Sequence, residues 1–184
     1  EAKYYAGLTG VSGISLDYLR VPGTAYKYAG STNAINEFVR LTEDAVKKIN
    51  PNIILSAIVM PETTSNIYYY GQDVRVIGKY VDAIIPMIYK GNYKASTSWI
   101  TTTTNWFVQN SNGVHIWSCL QSYKSDSDVS KLPIAELTKD AQAAINGGAN
   151  GVLIFRWGIT NFVDFESLDY PDNPYAPTGT EFSA

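Results

Sequence analysis

Five short, β-branched, apolar segments recur along the chain, at residues 13–17, 53–60, 83–89, 114–121 and 152–157. Between them the apolar positions follow a helical period. Over residues 33–49, Ile35, Phe38, Val39, Thr42, Val46 and Ile49 share one face, and Glu37, Arg40, Glu43, Lys47 and Lys48 fall elsewhere. Ser31, Thr32 and Asn33 offer N-caps for this helix, and Asn50-Pro51 offers its stop. Residues 133–146 carry both signals, with Pro133 in the first turn and Gly147-Gly148 after the last. Residues 72–81 read as a short helix through Val74, Ile77 and Val81. Residues 98–109 read as a weaker one, because the β-branched run Thr101 to Thr104 disfavours helix.

Strand and helix alternating at intervals of roughly 30 to 40 residues predict parallel βα units. Two α/β architectures satisfy that alternation. One is an open, doubly wound five-stranded sheet. The other is a (βα)8 TIM barrel, of which this chain would cover strands 4–8, since a whole barrel takes about 250 residues. The open sheet, as a flavodoxin-like small-ligand binder, calls for phosphate-binding loops. Neither G-x-G-x-x-G nor G-x-x-x-x-G-K-[ST] is present.

The alternation within each strand carries the argument further. In a barrel strand every second residue points inward, and the last inward residue reaches the active-site mouth. Gly13, Ser15 and Asp17 share one parity; Ser56, Ile58, Met60 and Glu62 share the next. They are followed by Ile85, Met87 and Tyr89, then His115, Trp117, Cys119 and Gln121, then Phe155 and Trp157. Every segment therefore ends on a polar or amphipathic group: Asp17, Glu62, Tyr89, Gln121, Trp157. Two carboxylates on neighbouring strands are what glycosidic cleavage needs, one as general acid and the other as nucleophile or base.

Composition points the same way. With 14 Tyr, 4 Trp and 6 Phe the chain is 13% aromatic, rich in side chains that stack on a flat ligand and hydrogen-bond at its rim. A net charge of -3 and the absence of a basic run argue against a nucleic-acid backbone as partner and favour sugar. The longest apolar run falls far short of the roughly 20 residues of a membrane span. A single cysteine, Cys119, and a single histidine, His115, exclude an internal disulfide, a thiolate zinc site and a multi-histidine metal centre. No cofactor or metal is expected. The chain begins at Glu1-Ala2-Lys3 with neither an initiator Met nor a secretion signal, and the expectation is a mature or excised piece.

The run Ser12-Gly13-Ile14-Ser15-Leu16-Asp17-Tyr18-Leu19-Arg20-Val21-Pro22 resembles the fourth strand of glycoside-hydrolase-like (βα)8 barrels, which reads D-G-I-x-L/F-D-Y-I-R-Y/F-P. Ile84-Ile85-Pro86-Met87-Ile88-Tyr89 is similar to their sixth strand, and Gly151-Val152-Leu153-Ile154-Phe155-Arg156-Trp157 to their eighth. The chain also resembles the barrel-like domains of adhesin-like cell-surface proteins of methanogenic archaea over most of residues 5–166. Related chitinase-type barrels carry D-x-x-D-x-D-x-E on the first of these strands. Here Ser12 and Ser15 replace two of those aspartates, Asp17 matches the third, and Leu19 stands in place of the acid glutamate. The acetamide-assisted chitinase mechanism does not carry over. Glu62 must then supply the second carboxylate.

The resemblance implies residues 1–166 as the C-terminal part of a barrel, residues 167–184 as an irregular tail, and strands one to three on a further polypeptide segment. It implies a glycoside-hydrolase-like domain acting on a cell-surface or cell-wall polysaccharide, extracellular or at the cell surface. Asp17 and Glu62 are the candidate catalytic pair, and Arg20, Tyr89, Gln121 and Trp157 the candidate sugar-binding groups. The alternative is a non-catalytic carbohydrate-binding or adhesin-like module using the same cleft. Each residue also has a plainer reading. Asp17 could cap its turn or pair with Arg20, Glu62 could be solvated, and Tyr89 and Trp157 could fill the core. His115 and Cys119 read as core residues. Asp126 and Asp128 read as a solvated loop, and Asp164 and Glu166 are open between mouth and tail.

Overall fold

Amphipathic helices and parallel strands alternate in the order the hydrophobic pattern predicts. The computed structural model describes residues 1–163 and 167–168. A short helix α1 (Ala2–Ala6) precedes β1 (Gly13–Leu16), and a single 3-10 turn leads to α2 (Ser31–Lys47). Then follow β2 (Ile54–Val59), α3 (Asn66–Tyr70), α4 (Val74–Ile77), β3 (Ala83–Ile88) and α5 (Thr97–Asn110). The chain continues through β4 (His115–Gln121), β5 (Tyr123–Ser125), β6 (Asp128–Lys131), α6 (Ile134–Asn146) and β7 (Gly151–Phe155). Asp164, Glu166 and all of the expected tail except Ser167 and Leu168 lie outside the described residues.

The five parallel strands hydrogen-bond in the order β1-β2-β3-β4-β7. That order advances in one direction and never reverses. Right-handed crossovers then place every helix on one face, whereas a doubly wound sheet reverses its order to cover both. The packing agrees. Leu55, Ala57, Val59, Ile84 and Ile116 are buried with Val39 and Val46 of α2, Val74 and Ile77 of α4 and Phe107 of α5. Ile88 and Leu120 are buried with Ile100 of α5 and Leu137 and Ala141 of α6. The sheet is a curled parallel half-barrel of the TIM type. Its other face is the barrel interior, and the register sets Ser15 beside Ser56, Ser56 beside Ala83 and Ala83 beside His115. Gly13, Ser15 and Asp17 are exposed on that face. Among the described residues no strand pairs with the outer edge of β1 or β7.

Three local expectations are refined. The threonine-rich segment forms a full 14-residue helix. Thr103 and Thr104 are buried, Thr104 Oγ1 lies 2.9 Å from Ser118 Oγ, and Thr101 Oγ1 donates to the Ala143 carbonyl at 2.9 Å. Those tertiary bonds and the burial of Ile100 and Phe107 outweigh a few tenths of a kcal/mol of propensity per residue. Helix α2 begins at Ser31 itself, with Gly30 as its N-cap at φ 83° and no side-chain cap. Asp126 and Asp128 are exposed, as expected, but they lie at the turn of the β5–β6 hairpin, not in an irregular loop. Asp126 accepts bonds from Asn92 Nδ2 at 2.9 Å and from the Tyr123 hydroxyl at 2.8 Å.

Candidate active site

Every strand of a parallel barrel delivers its C-terminal end to the same rim. Asp17 follows β1 and Glu62 stands three residues past β2, on the neighbouring strand. Each is followed by a non-glycine residue in the left-handed region, Tyr18 at φ 55° and Thr63 at φ 54°. For the β-branched Thr63 that conformation is strained, by about 1–3 kcal/mol. The two carboxylates thus sit immediately before the points where the backbone turns off the strand axis.

The Glu62 segment is anchored from beneath. Buried Gln72 accepts from the Met60 amide at 2.9 Å and donates to the Leu19 carbonyl at 2.8 Å, tying the exit of β2 to the exit of β1. Asn66 Nδ2 donates to the Met60 carbonyl at 2.6 Å. Above this support Glu62 Oε1 accepts two phenols, from Tyr70 at 2.8 Å and from Tyr93 at 2.6 Å. Tyr93 stacks on Trp99 of α5, with ring centroids 5.2 Å apart. Burial pushes the Tyr70 phenol up to about 12, with the Glu62 carboxylate adding to the rise and Arg20 opposing it. The same causes raise Tyr93. Both phenols therefore stay protonated as donors at neutral pH. Glu62 Oε2 and Arg20 Nη1 are buried and have no hydrogen-bond partner among the described residues. Two such polar atoms, one acceptor and one donor, are the kind that a ligand hydroxyl satisfies.

Asp17 is exposed, and its Oδ1 accepts from the Tyr18 amide at 2.6 Å. Arg20 carries its guanidinium over the Tyr18 ring, 4.2 Å from the centroid. Beside Asp17 the Tyr89 hydroxyl lies 3.7 Å from Cys119 Sγ, and the Tyr89 ring stacks on Phe155 at 5.3 Å. Burial raises the Tyr89 phenol, with Cys119, Tyr123 and the Asp17 charge adding to it. Burial likewise lifts the Cys119 thiol to about 11, the Tyr89 hydrogen bond opposes this, and the Asp17 charge adds to it. A thiol held this high is protonated and unreactive at neutral pH.

The remaining candidates are placed differently. Gln121 is 3% exposed and exchanges hydrogen bonds with Asn92 at both ends of its amide, fastening the β3–α5 loop. Trp157 is 83% exposed just beyond β7, edge-on to Phe162. Gly91 shows how closely the loop fits, because a Cβ there would fall inside the Lys124 carbonyl and 2.8 Å from Gln121 Oε1. Gly91→Ala is expected to cost about 1–3 kcal/mol, read as a lowered urea midpoint.

The structure brings Asp17, Tyr89 and Cys119 into one electrostatic neighbourhood and Glu62, Arg20, Tyr70 and Tyr93 into another on the same rim. Tyr70, Tyr93, Gln72 and Asn66 were not legible from strand parity, because they come from loops and short helices. The signal available was four residues of spacing from Tyr89 to Tyr93, in the loop just past a barrel strand.

Comparison with solved structures places the chain among glycoside hydrolase folds. It is 12% identical to the PgaB (BpsB) glycoside hydrolase domain of Bordetella bronchiseptica, covering 69% of this chain and 38% of that one, with a TM-score of 0.59. It is 14% identical to the beta-galactosidase of the psychrophilic Marinomonas ef1, covering 69% of this chain and 21% of that one, with a TM-score of 0.51. At such identities the likeness carries the fold alone, and this chain spans less than two fifths of either structure's length. No curated protein is similar to the chain by sequence. A family model described as "Putative glycosyl hydrolase domain" matches residues 3–112, a stretch that contains both carboxylates, both phenols and more than half of the chain, and the chain belongs to that family.

Proposed function

We propose that the domain hydrolyses glycosidic bonds of a cell-surface or cell-wall polysaccharide, with Asp17 and Glu62 as the carboxylate pair. The observation that carries this reading is the setting of Glu62, with one oxygen held by two phenols and the other buried without a partner. Glu62 is thus suited to act through Oε2 as nucleophile, or as base toward a water. Asp17 then delivers the proton. The glycosidic oxygen takes that proton and leaves as an alcohol, while Glu62 Oε2 or the activated water bonds to the anomeric carbon. Arg20 and Tyr89 line the approach, Gln121 acts at the rim or through its hold on the loop, and Trp157 offers an open face for stacking.

The outer edges of β1 and β7, unpaired among the described residues, fit completion of the barrel by a further polypeptide segment supplying strands one to three. A cell-surface or cell-wall substrate would set this work at the cell exterior. Among the described residues no helix is long and apolar enough to cross a membrane.

One observation favours a second reading, a carbohydrate-binding module without turnover. Leu19, which stands in place of the acid glutamate of chitinase-type barrels, is only 6% exposed and belongs to the core. The deciding experiment is reducing-end release from chitin-type and cell-wall polysaccharides by the intact protein and its Asp17→Asn variant. The hydrolase reading expects release by the wild type and a loss of at least about 10²-fold in the variant, with an unchanged melting temperature. Binding without release in the wild type selects the second reading.

A further inference from the structure

Helix α3, just after Glu62, carries three consecutive tyrosines. Tyr70 turns inward to Glu62, while Tyr68 and Tyr69 are exposed. A second segment meets them: Tyr26, from the connection between β1 and α2, stacks on Tyr68 with centroids 4.7 Å apart and planes at 6°. Tyr69 stands edge-on to Tyr68 at 5.0 Å and lies 6.2 Å from Tyr70, so the rings run without a break from this surface to the carboxylate. A cavity of about 470 Å³ opens beside them, lined by Tyr26, Tyr28 and Tyr68 and by the polar residues Ser31, Thr32 and Asn33. Tyr26, Tyr28 and Tyr68 are 50%, 60% and 55% exposed. No residue lining the cavity is charged.

Flat aromatic faces with uncharged hydrogen-bonding groups at the edge match the two sides of a pyranose ring, apolar on its C–H face and polar around its rim. A uronate or phosphate would call for a cation directed into the cavity, whereas the nearby Lys27 ammonium lies over the Tyr26 ring, 5.7 Å from its centroid, and does not line the cavity. We propose that Tyr26, Tyr28 and Tyr68 form an outer subsite that grips the distal part of an uncharged glycan chain whose reacting bond lies at Glu62. This deepens the function proposed above and rests on it for the chain's direction, though not for its binding. An unattended tyrosine surface of this kind would also suit a protein partner, and the measurement below separates the two.

The test is calorimetric titration of the intact protein with chitohexaose and cellohexaose, with the matching disaccharides, and with polygalacturonate. The wild type is compared with Tyr26→Ala/Tyr68→Ala, with Tyr28→Ala, which breaks no ring stack, and with Tyr4→Ala on α1 as control. At least one hexasaccharide is expected to bind about tenfold more weakly to both cavity variants, with disaccharide affinity and the Tyr4→Ala protein unchanged. Polygalacturonate is expected not to compete. The subsite is overturned if neither hexasaccharide binds the wild type, or if the cavity variants bind it equally well, as a protein-docking surface would require. Hexasaccharide binding that depends on these tyrosines without any turnover would sustain the subsite and overturn hydrolysis. Turnover of long chains unaffected by the tyrosine variants would do the reverse.

Discussion

Glu62→Gln is expected to lower the rate of reducing-end release by about 10²–10⁴-fold, the range that a positioned acid–base or nucleophilic group supplies, while the melting temperature stays within a few degrees. The carboxamide oxygen still accepts one of the two phenols that meet at Oε1, so the local frame survives. What is lost is the negative charge and the free oxygen Oε2. Tyr93→Phe serves as the companion. It keeps the ring stacked on Trp99 and removes one of the two donors, and about a tenfold loss of kcat is expected, with little change in KM. The pH profile adds a separate readout. The phenol pKa values are raised by burial and by Glu62, so the tyrosines donate throughout the neutral and mildly alkaline range. Any alkaline decline of activity that they cause has its midpoint no lower than about pH 12, where Tyr70 ionises. A Glu62→Gln protein within threefold of wild-type activity would remove Glu62 from the chemistry.

Asp140→Ala is expected to destabilise the fold by about 3–5 kcal/mol, the usual cost of removing one partner from a buried ion pair, measured as a fall in the urea midpoint at constant slope. Lys90 leaves β3 and meets α6, where its Nζ lies 2.6 Å from Asp140 Oδ2 and 2.9 Å from Glu136 Oε1. Asp140 Oδ1 also accepts the Thr97 hydroxyl at 2.7 Å, at the start of α5. The Lys90 and Asp140 side chains are 13% and 3% exposed. Truncating Asp140 leaves an ammonium with one half-exposed partner and orphans a hydroxyl. Replacing both members, as Lys90→Met/Asp140→Leu, is expected to restore most of the loss, because no buried charge then stands alone. Burial pulls the Lys90 ammonium downward, but the hydrogen bonds to Asp140 and Glu136 outweigh it and raise its pKa. A raised lysine stabilises the fold fully below its unfolded value near 10.5. That contribution fades only as pH climbs through the folded value. The wild type should therefore lose stability above about pH 10.5 more steeply than the Lys90→Met/Asp140→Leu protein.

Much of the fold was legible because strand parity is a local property. Alternate residues face opposite sides of any strand, so Ser15, Asp17, Ile58, Met87 and Cys119 were assignable to the inner face without knowing which strand lay beside which. Val39, Thr42 and Val46 of α2 were likewise readable from a 3.6-residue period, although Phe38 of the same expected face is exposed. Helix α5 was less so, because its threonines are held by Ser118 and Ala143, far away in the chain. The hairpin was missed for the same reason: the turn at Asp126 is held by Asn92.

From its sequence alone this chain determined a set of parallel βα units with Asp17, Glu62, Tyr89 and Gln121 at or shortly past the strand ends, since periodicity depends only on neighbours along the chain. Tertiary structure alone decided that the strand order never reverses, which makes a half-barrel of what could have been a doubly wound sheet. It alone also set what surrounds each carboxylate. Tyr70 and Tyr93 converge on Glu62 from two separate connections, and Gln121 spends its amide on Asn92. Such meetings depend on how far loops travel after leaving the sheet, a distance that no pattern of hydrophobic and polar residues encodes.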